Sequence, residues 1–154
     1  GQKVIQFIQQ QLAQVGIKAQ VQALEAGQRV EKVESHQDAA TAPVRLYYTG
    51  WSSSTGEADW GLRPLFAGDK TPPSMYNISY YKNPTVDADI MKALGTTDRA
   101  EKTKLYTEVQ EEIWKDAPWA FLVTEKLLYA TSKKLTGMYV MPDANYFFEE
   151  IDLQ

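Results

Sequence analysis

Apolar residues recur at Val4, Ile8, Leu12 and Val15, with Ile5 widening the stripe. That spacing predicts an amphipathic helix over 2–15, ended by Gly16 in the left-handed conformation. The pattern then changes period. Ile17, Ala19, Val21 and Ala23 alternate with Lys18, Gln20 and Gln22, as in a strand with one wet face. Residues 27–37 are polar with Val30 and Val33 on one side, which predicts a short surface helix. Val44, Leu46 and Tyr48 alternate again and give a second strand ending at Gly50-Trp51.

The stretch 51–83 is rich in Ser, Thr, Gly, Pro and Asn and reads as loop, with one helical turn around Trp60–Phe66. Asn83-Pro84 opens a helix with a cap followed by proline in the first turn, and Val86, Ile90 and Leu94 form its inner stripe. Asp98 with Glu101 three residues later is an acidic capping box. The helix behind it turns Leu105, Val109 and Ile113 inward and stops at Pro118. Phe121–Ala130 is apolar and β-rich and reads as a strand, and 138–141 and 146–151 read as short closing strands. Helical and strand periods mixed in this way predict an α/β fold. Nothing interrupts the chain as a linker or repeat would, so residues 1–154 read as one domain.

Composition narrows the partners. A 44% apolar and 23% charged chain of 154 residues is large enough to bury a core. The net charge of −4 is well mixed, without the basic stripe that nucleic acid requires. With no cysteine, disulfides and thiolate chemistry are excluded, which suits an oxidising compartment as well as the cytosol. No apolar run reaches bilayer length. The start, Gly1-Gln2-Lys3-Val4, enters a helical pattern directly, so any export signal is expected to lie outside these residues.

Catalytic chemistry finds little to stand on. His36, the lone histidine, lies in the polar segment Glu34-Ser35-His36-Gln37-Asp38 and reads as a solvated side chain. Glu57 and Asp59 form an E-x-D pair without the further oxygen ligands a calcium loop needs, so no metal site is expected. Ser52, Ser53 and Ser54 have no nucleophile elbow and no adjacent histidine. There is no P-loop or dinucleotide glycine fingerprint, and no cofactor is expected. Four Trp and nine Tyr supply rigid amphipathic surface, most of it core. Trp51 differs because it stands where a strand ends and a hydroxyl-rich loop begins, the place where open α/β sheets collect ligands. Two readings of it stand side by side: a wall for a polar ligand, or a plug at the end of the core.

Five segments, in order, resemble the C-terminal part of the peptide and nickel family of ABC-importer substrate-binding proteins. They are Gln9–Lys18 with its Leu12…Gly16-Ile17-Lys18, Thr49-Gly50-Trp51 through Asp59 to Leu65-Phe66, Tyr80-Tyr81-Lys82-Asn83-Pro84-Thr85-Val86-Asp87, Asp98–Pro118, and Leu135-Thr136-Gly137. Tyr48–Trp60 and the ending Phe148–Gln154 are similar to the subgroup that imports glutathione. The loop 52–55 lacks the carboxylate that dipeptide members carry after Gly-Trp.

The resemblance implies one lobe, the C-terminal one, of a type II periplasmic-binding-protein fold, a mixed sheet flanked by helices. It implies a non-enzymatic, periplasmic or membrane-associated binding protein for short peptides, glutathione foremost, that closes on its ligand with an N-terminal lobe and delivers it to importer membrane subunits. The ligand would meet Trp51, Ser52, Ser53, Ser54 and Thr55, with Asp59 or Glu57 on its ammonium. Arg45 and Arg63 are possible carboxylate partners that more often serve the fold. The alternatives are a dipeptide or oligopeptide receptor of the same family, a small hydrolase, or a lobe that folds without binding.

Overall fold

The computed structural model describes residues 1–141 and 143–154. Helix α1 spans Gln2–Gln14. Gly16 (φ +82°) follows it, and the Ile17 N–H reaches back to the Leu12 carbonyl while that of Gly16 reaches Ala13. This is the paired closure that a left-handed glycine permits. Helix α2 (Ala26–Arg29) runs on into a π-helical turn, Val30–Glu34, that buries Val33.

Helices α3 (Ala58–Phe66), α4 (Pro84–Gly95) and α5 (Arg99–Asp116) hold the core. Leu62, Leu65 and Phe66 of α3 meet Val86 and Ile90 of α4 and Leu105, Val109 and Ile113 of α5, with Tyr81 and Trp119 packed on the margin. Ile90 and Ala93 are fully buried. Each large aliphatic side chain so placed contributes about 1.5–3 kcal/mol relative to exposure. The expected stripes of α4 and α5 are therefore inward, except that Leu94 faces out while Ala93 takes the buried place.

Caps follow the sequence with one change. Asn83 Oδ1 accepts from the Thr85 and Val86 amides, and Asp98 Oδ1 from Ala100 and Glu101 at 2.8 and 3.0 Å. The box expected at Asp98 is not reciprocal. The Asp98 amide donates to Thr96 Oγ1, and the Glu101 carboxylate accepts from Thr96 and pairs with Lys92 of α4 at 3.1 Å. Glu101 thus ties α5 to the end of α4. Ala117 takes a left-handed conformation (φ 49°) and ends α5 before Pro118.

Strand pairing is smaller than the alternation predicts. Strand β1 (Leu135–Thr136) pairs antiparallel with β4 (Asp152–Leu153), and β2 (Tyr139–Val140) with β3 (Tyr146–Phe147). Residues 17–23, 44–48 and 121–130 run without helix or ladder among the described residues. Val123 and Leu128 are 77% and 92% exposed. A period of two records a pleat with one favoured face; a strand exists only where a neighbour supplies hydrogen bonds.

Between α3 and α4 the chain is stapled by Asn77, the one buried polar side chain among the described residues. Its Nδ2 donates to the Ala67 and Tyr81 carbonyls at 3.0 and 2.8 Å, and its Oδ1 accepts from the Tyr81 amide and the Ser79 hydroxyl at 3.1 and 3.0 Å. Full satisfaction is what makes a buried amide tolerable.

Candidate functional site

The loop expected to meet a ligand leads directly into α3, and a proline sets its geometry. Pro64 lies inside α3 and has no N–H to give the carbonyl four residues back, that of Trp60. The Trp51 indole N–H fills this vacancy, donating to the Trp60 carbonyl at 2.8 Å. The Trp51 ring then packs against Trp60 and Tyr76, with centroids 6.0 and 5.2 Å apart. Trp51 stays 36% exposed and Tyr76 40% exposed. Trp51 is anchored by an aromatic cluster and also presents ring surface to solvent.

The hydroxyls divide into two groups. Ser53 Oγ donates to the Glu57 carbonyl at 2.8 Å, and Thr55 Oγ1 accepts from the Glu57 amide at 3.2 Å. The Gly56 amide closes on the Ser53 carbonyl at 3.2 Å, with Gly56 at φ +68°. Ser53 and Thr55 therefore shape the loop. Ser52, Ser54 and the Glu57 carboxylate are exposed and make no hydrogen bond within the described residues. An open hollow lies between this loop, the Ala58, Gly61 and Leu62 face of α3, and Gln110 of α5.

The two acidic candidates have different surroundings. Asp59 is gripped by Arg63, which donates through Nε to Oδ1 at 2.8 Å and through Nη2 to Oδ2 at 2.7 Å. This i, i+4 fork links the first turn of α3 to its last and raises the Arg63 guanidinium above its ordinary value, chiefly through the hydrogen bond to Asp59. Burial first, and the Asp59 charge second, push the neighbouring Tyr106 hydroxyl up. Asp59 is thus already paired, and the Glu57 carboxylate is left open to solvent. Arg45 serves the fold, donating through Nη1 to the Ala39 and Ala42 carbonyls at 3.0 and 2.9 Å.

His36 accepts a hydrogen bond from the Tyr80 hydroxyl at its backbone carbonyl, 2.8 Å away. Among the described residues no three His, Asp or Glu side chains gather as metal ligands, and no helix is long and apolar enough to cross a membrane.

Sequence reasoning missed Trp60, Tyr76 and Arg29. Pro64 four residues after Trp60 was a legible sign that the Trp60 carbonyl needed another donor. Nothing local marks Tyr76. Arg29, on the turn where α2 becomes π-helical, donates through Nη1 to Glu34 Oε1 at 2.6 Å. Its guanidinium is raised by a hydrogen bond with the Tyr47 hydroxyl first and by Glu34 second.

Comparison with known proteins places this geometry in context. No family model matches the chain. It is 60% identical over 152 residues to glutathione-binding protein GsiB of Pectobacterium atrosepticum, covering 99% of this chain and 29% of that protein. It is 56% identical over 153 residues to glutathione-binding protein GsiB of Escherichia coli strain K12, covering 99% and 30%. The chain thus spans about three tenths of the length of the curated relatives it matches. Among solved structures, clavulanic acid biosynthesis oligopeptide binding protein 2 superposes with a TM-score of 0.84 at 24% identity, over 97% of this chain and 28% of that one. That superposition establishes the α/β fold of a periplasmic-binding-protein lobe as the fold of these residues. Across its length the chain is thus similar to one segment of proteins named for binding glutathione.

Proposed function

We propose that residues 1–154 form the C-terminal ligand-binding lobe of an extracytoplasmic solute-binding protein that takes short peptides, with glutathione as its ligand. The single observation that carries this reading is 60% identity, across 99% of the chain, to a protein named for binding glutathione. The site agrees chemically. An exposed Trp51 face, the free hydroxyls of Ser52 and Ser54, loop amides held by Ser53 and Thr55, and the open Glu57 carboxylate suit a small zwitterion. Asp59 contributes by fixing Arg63 and the first turn of α3, and Glu57 answers the ligand ammonium.

Binding proceeds without chemistry. Contacts to this lobe and to an N-terminal lobe are made together only in the closed state, so the ligand shifts the population toward closure. The closed form then meets the membrane subunits of an ABC importer, in the periplasm.

The test is calorimetric titration of the Pectobacterium relative carrying residues 1–154 in place of its own matching segment, with glutathione and with Ala-Ala. Glutathione is expected to bind more tightly, and Trp51→Ala to weaken it about tenfold, the order of one aromatic contact. Preference for Ala-Ala would replace glutathione by a dipeptide ligand. Indifference to Trp51→Ala would remove the site from this loop.

A further inference from the structure

We propose that Phe121–Tyr129 is a β-strand whose neighbours lie outside residues 1–154, in the rest of a longer chain, so that these residues are part of a larger folding unit. The chain has too much surface. A compact protein of 17.4 kDa exposes about 7,900 Å² to solvent, whereas this chain exposes 11576 Å². The surplus is roughly 3,700 Å². The α3–α5 core is closed, but none of the residues of α1 is buried, and the segment after Trp119 lies bare.

That segment is apolar in two runs, Phe121-Leu122-Val123 and Leu127-Leu128-Tyr129, on either side of Thr124-Glu125-Lys126. All six apolar side chains are exposed, from 45% at Phe121 to 92% at Leu128. In an extended chain successive residues point to opposite faces, so each run is apolar on both. A strand with one wet face alternates; a strand apolar on both faces is one covered above and below. The backbone adds a second requirement. Residues 121–130 make no backbone–backbone hydrogen bond among the described residues. Water satisfies these groups only while the side chains stay wet, and once the apolar runs are covered each group needs a partner. Another extended segment alongside supplies those hydrogen bonds.

The start of the segment is already fixed to the core. The Phe121 ring stacks on Trp114 of α5 with centroids 5.7 Å apart and planes at 16°, and lies 6.3 Å from Phe66 and 6.2 Å from Trp119. An anchored end lowers the entropy lost on pairing.

The size of the surplus selects the partner. A stable dimer uses about 800 Å² from each copy, and an obligate one up to about 2,500 Å². Roughly 3,700 Å² exceeds both and is the scale of a core divided along its own chain. The matched segment is 29% of the Pectobacterium relative, so the larger part of such a protein is available as cover.

The test uses the same chimera, the Pectobacterium relative carrying residues 1–154, without ligand. Hydrogen exchange read by mass spectrometry should show the amides of 122–129 slowed at least about a hundredfold relative to an unstructured chain. The photo-crosslinker p-benzoylphenylalanine in place of Leu128, the most exposed side chain of the segment, should join a peptide outside residues 1–154 in a product of single-chain mass. Exchange at the unstructured rate in the unsubstituted chimera would overturn the proposal. So would a crosslink within residues 1–154, which assigns the strand an internal neighbour, or a product of doubled mass, which assigns it a second copy. Glutathione takes part in neither readout, so failure here leaves the ligand reading standing, and indifference to Trp51→Ala leaves the strand standing.

Discussion

Replacing Asn77 with alanine removes four hydrogen bonds from a position with no solvent exposure. The partners do not suffer equally. The Ala67 carbonyl keeps the Lys70 amide at 3.0 Å, and the half-buried Ser79 hydroxyl can turn to water. The Tyr81 amide and carbonyl lose their only recorded partner. At about 1–3 kcal/mol for each group left unsatisfied, and toward the lower end because Tyr81 is partly wet, the loss is about 2–4 kcal/mol. That corresponds to a fall in Tm of roughly 5–15 °C for a chain of this size. Urea unfolding followed by circular dichroism reads it directly. Asn77→Asp makes the comparison sharper, since it keeps Oδ1 but turns an oxygen toward two carbonyls. Its buried carboxylate has a raised pKa in the folded state, so its damage should be least in acid, where protonation restores a donor, and should grow as pH rises through the carboxylate range. A loss under about 1 kcal/mol for Asn77→Ala, or an aspartate variant that gains stability on going to neutral pH, would refute the staple.

Two further outcomes follow from geometry. Gly137 has φ +73° and its added Cβ would overlap the Glu150 carbonyl oxygen, so Gly137→Ala should part the β1–β4 ribbon at a cost above about 1–2 kcal/mol. Hydrogen exchange should then quicken at Gln154, whose amide donates to the Lys134 carbonyl at 2.9 Å, while α4 and α5 keep their protection; unchanged exchange at Gln154 counts against the contact. The Asp116 carboxyl is held below its ordinary value by the Tyr81 hydroxyl at 2.6 Å first and by Asn83 at 2.8 Å second. A carboxylate with a lowered folded pKa stabilises above its unfolded value, and that help is lost as pH falls through the folded one. Tyr81→Phe should move the Asp116 carboxyl upward in an NMR titration, and no movement would reject the link.

What the sequence determined by itself was what four or five consecutive residues can settle. The Asn83 and Asp98 caps, the inward faces of α4 and α5, the glycine closure after α1 and the end of α5 before Pro118 all depend on neighbours within a turn or so. The family pattern was legible in the same way, as short runs in a fixed order, and so was the place of Trp51 at the head of a hydroxyl-rich loop.

Tertiary structure decided which of those groups are free. Asp59 and Glu57 look interchangeable in a loop, but the onset of α3 puts Asp59 one turn before Arg63 and leaves Glu57 outside. Ser53 and Thr55 differ from Ser52 and Ser54 only through how the loop closes on the Glu57 backbone. Tyr76 reaches the Trp51 ring from about 25 residues downstream, a separation at which spacing carries no contact information. The alternating segments 17–23, 44–48 and 121–130 belong with them. A helix completes its hydrogen bonds within itself, so its pattern suffices to form it, whereas a strand and a binding site are both defined by partners that local sequence does not name.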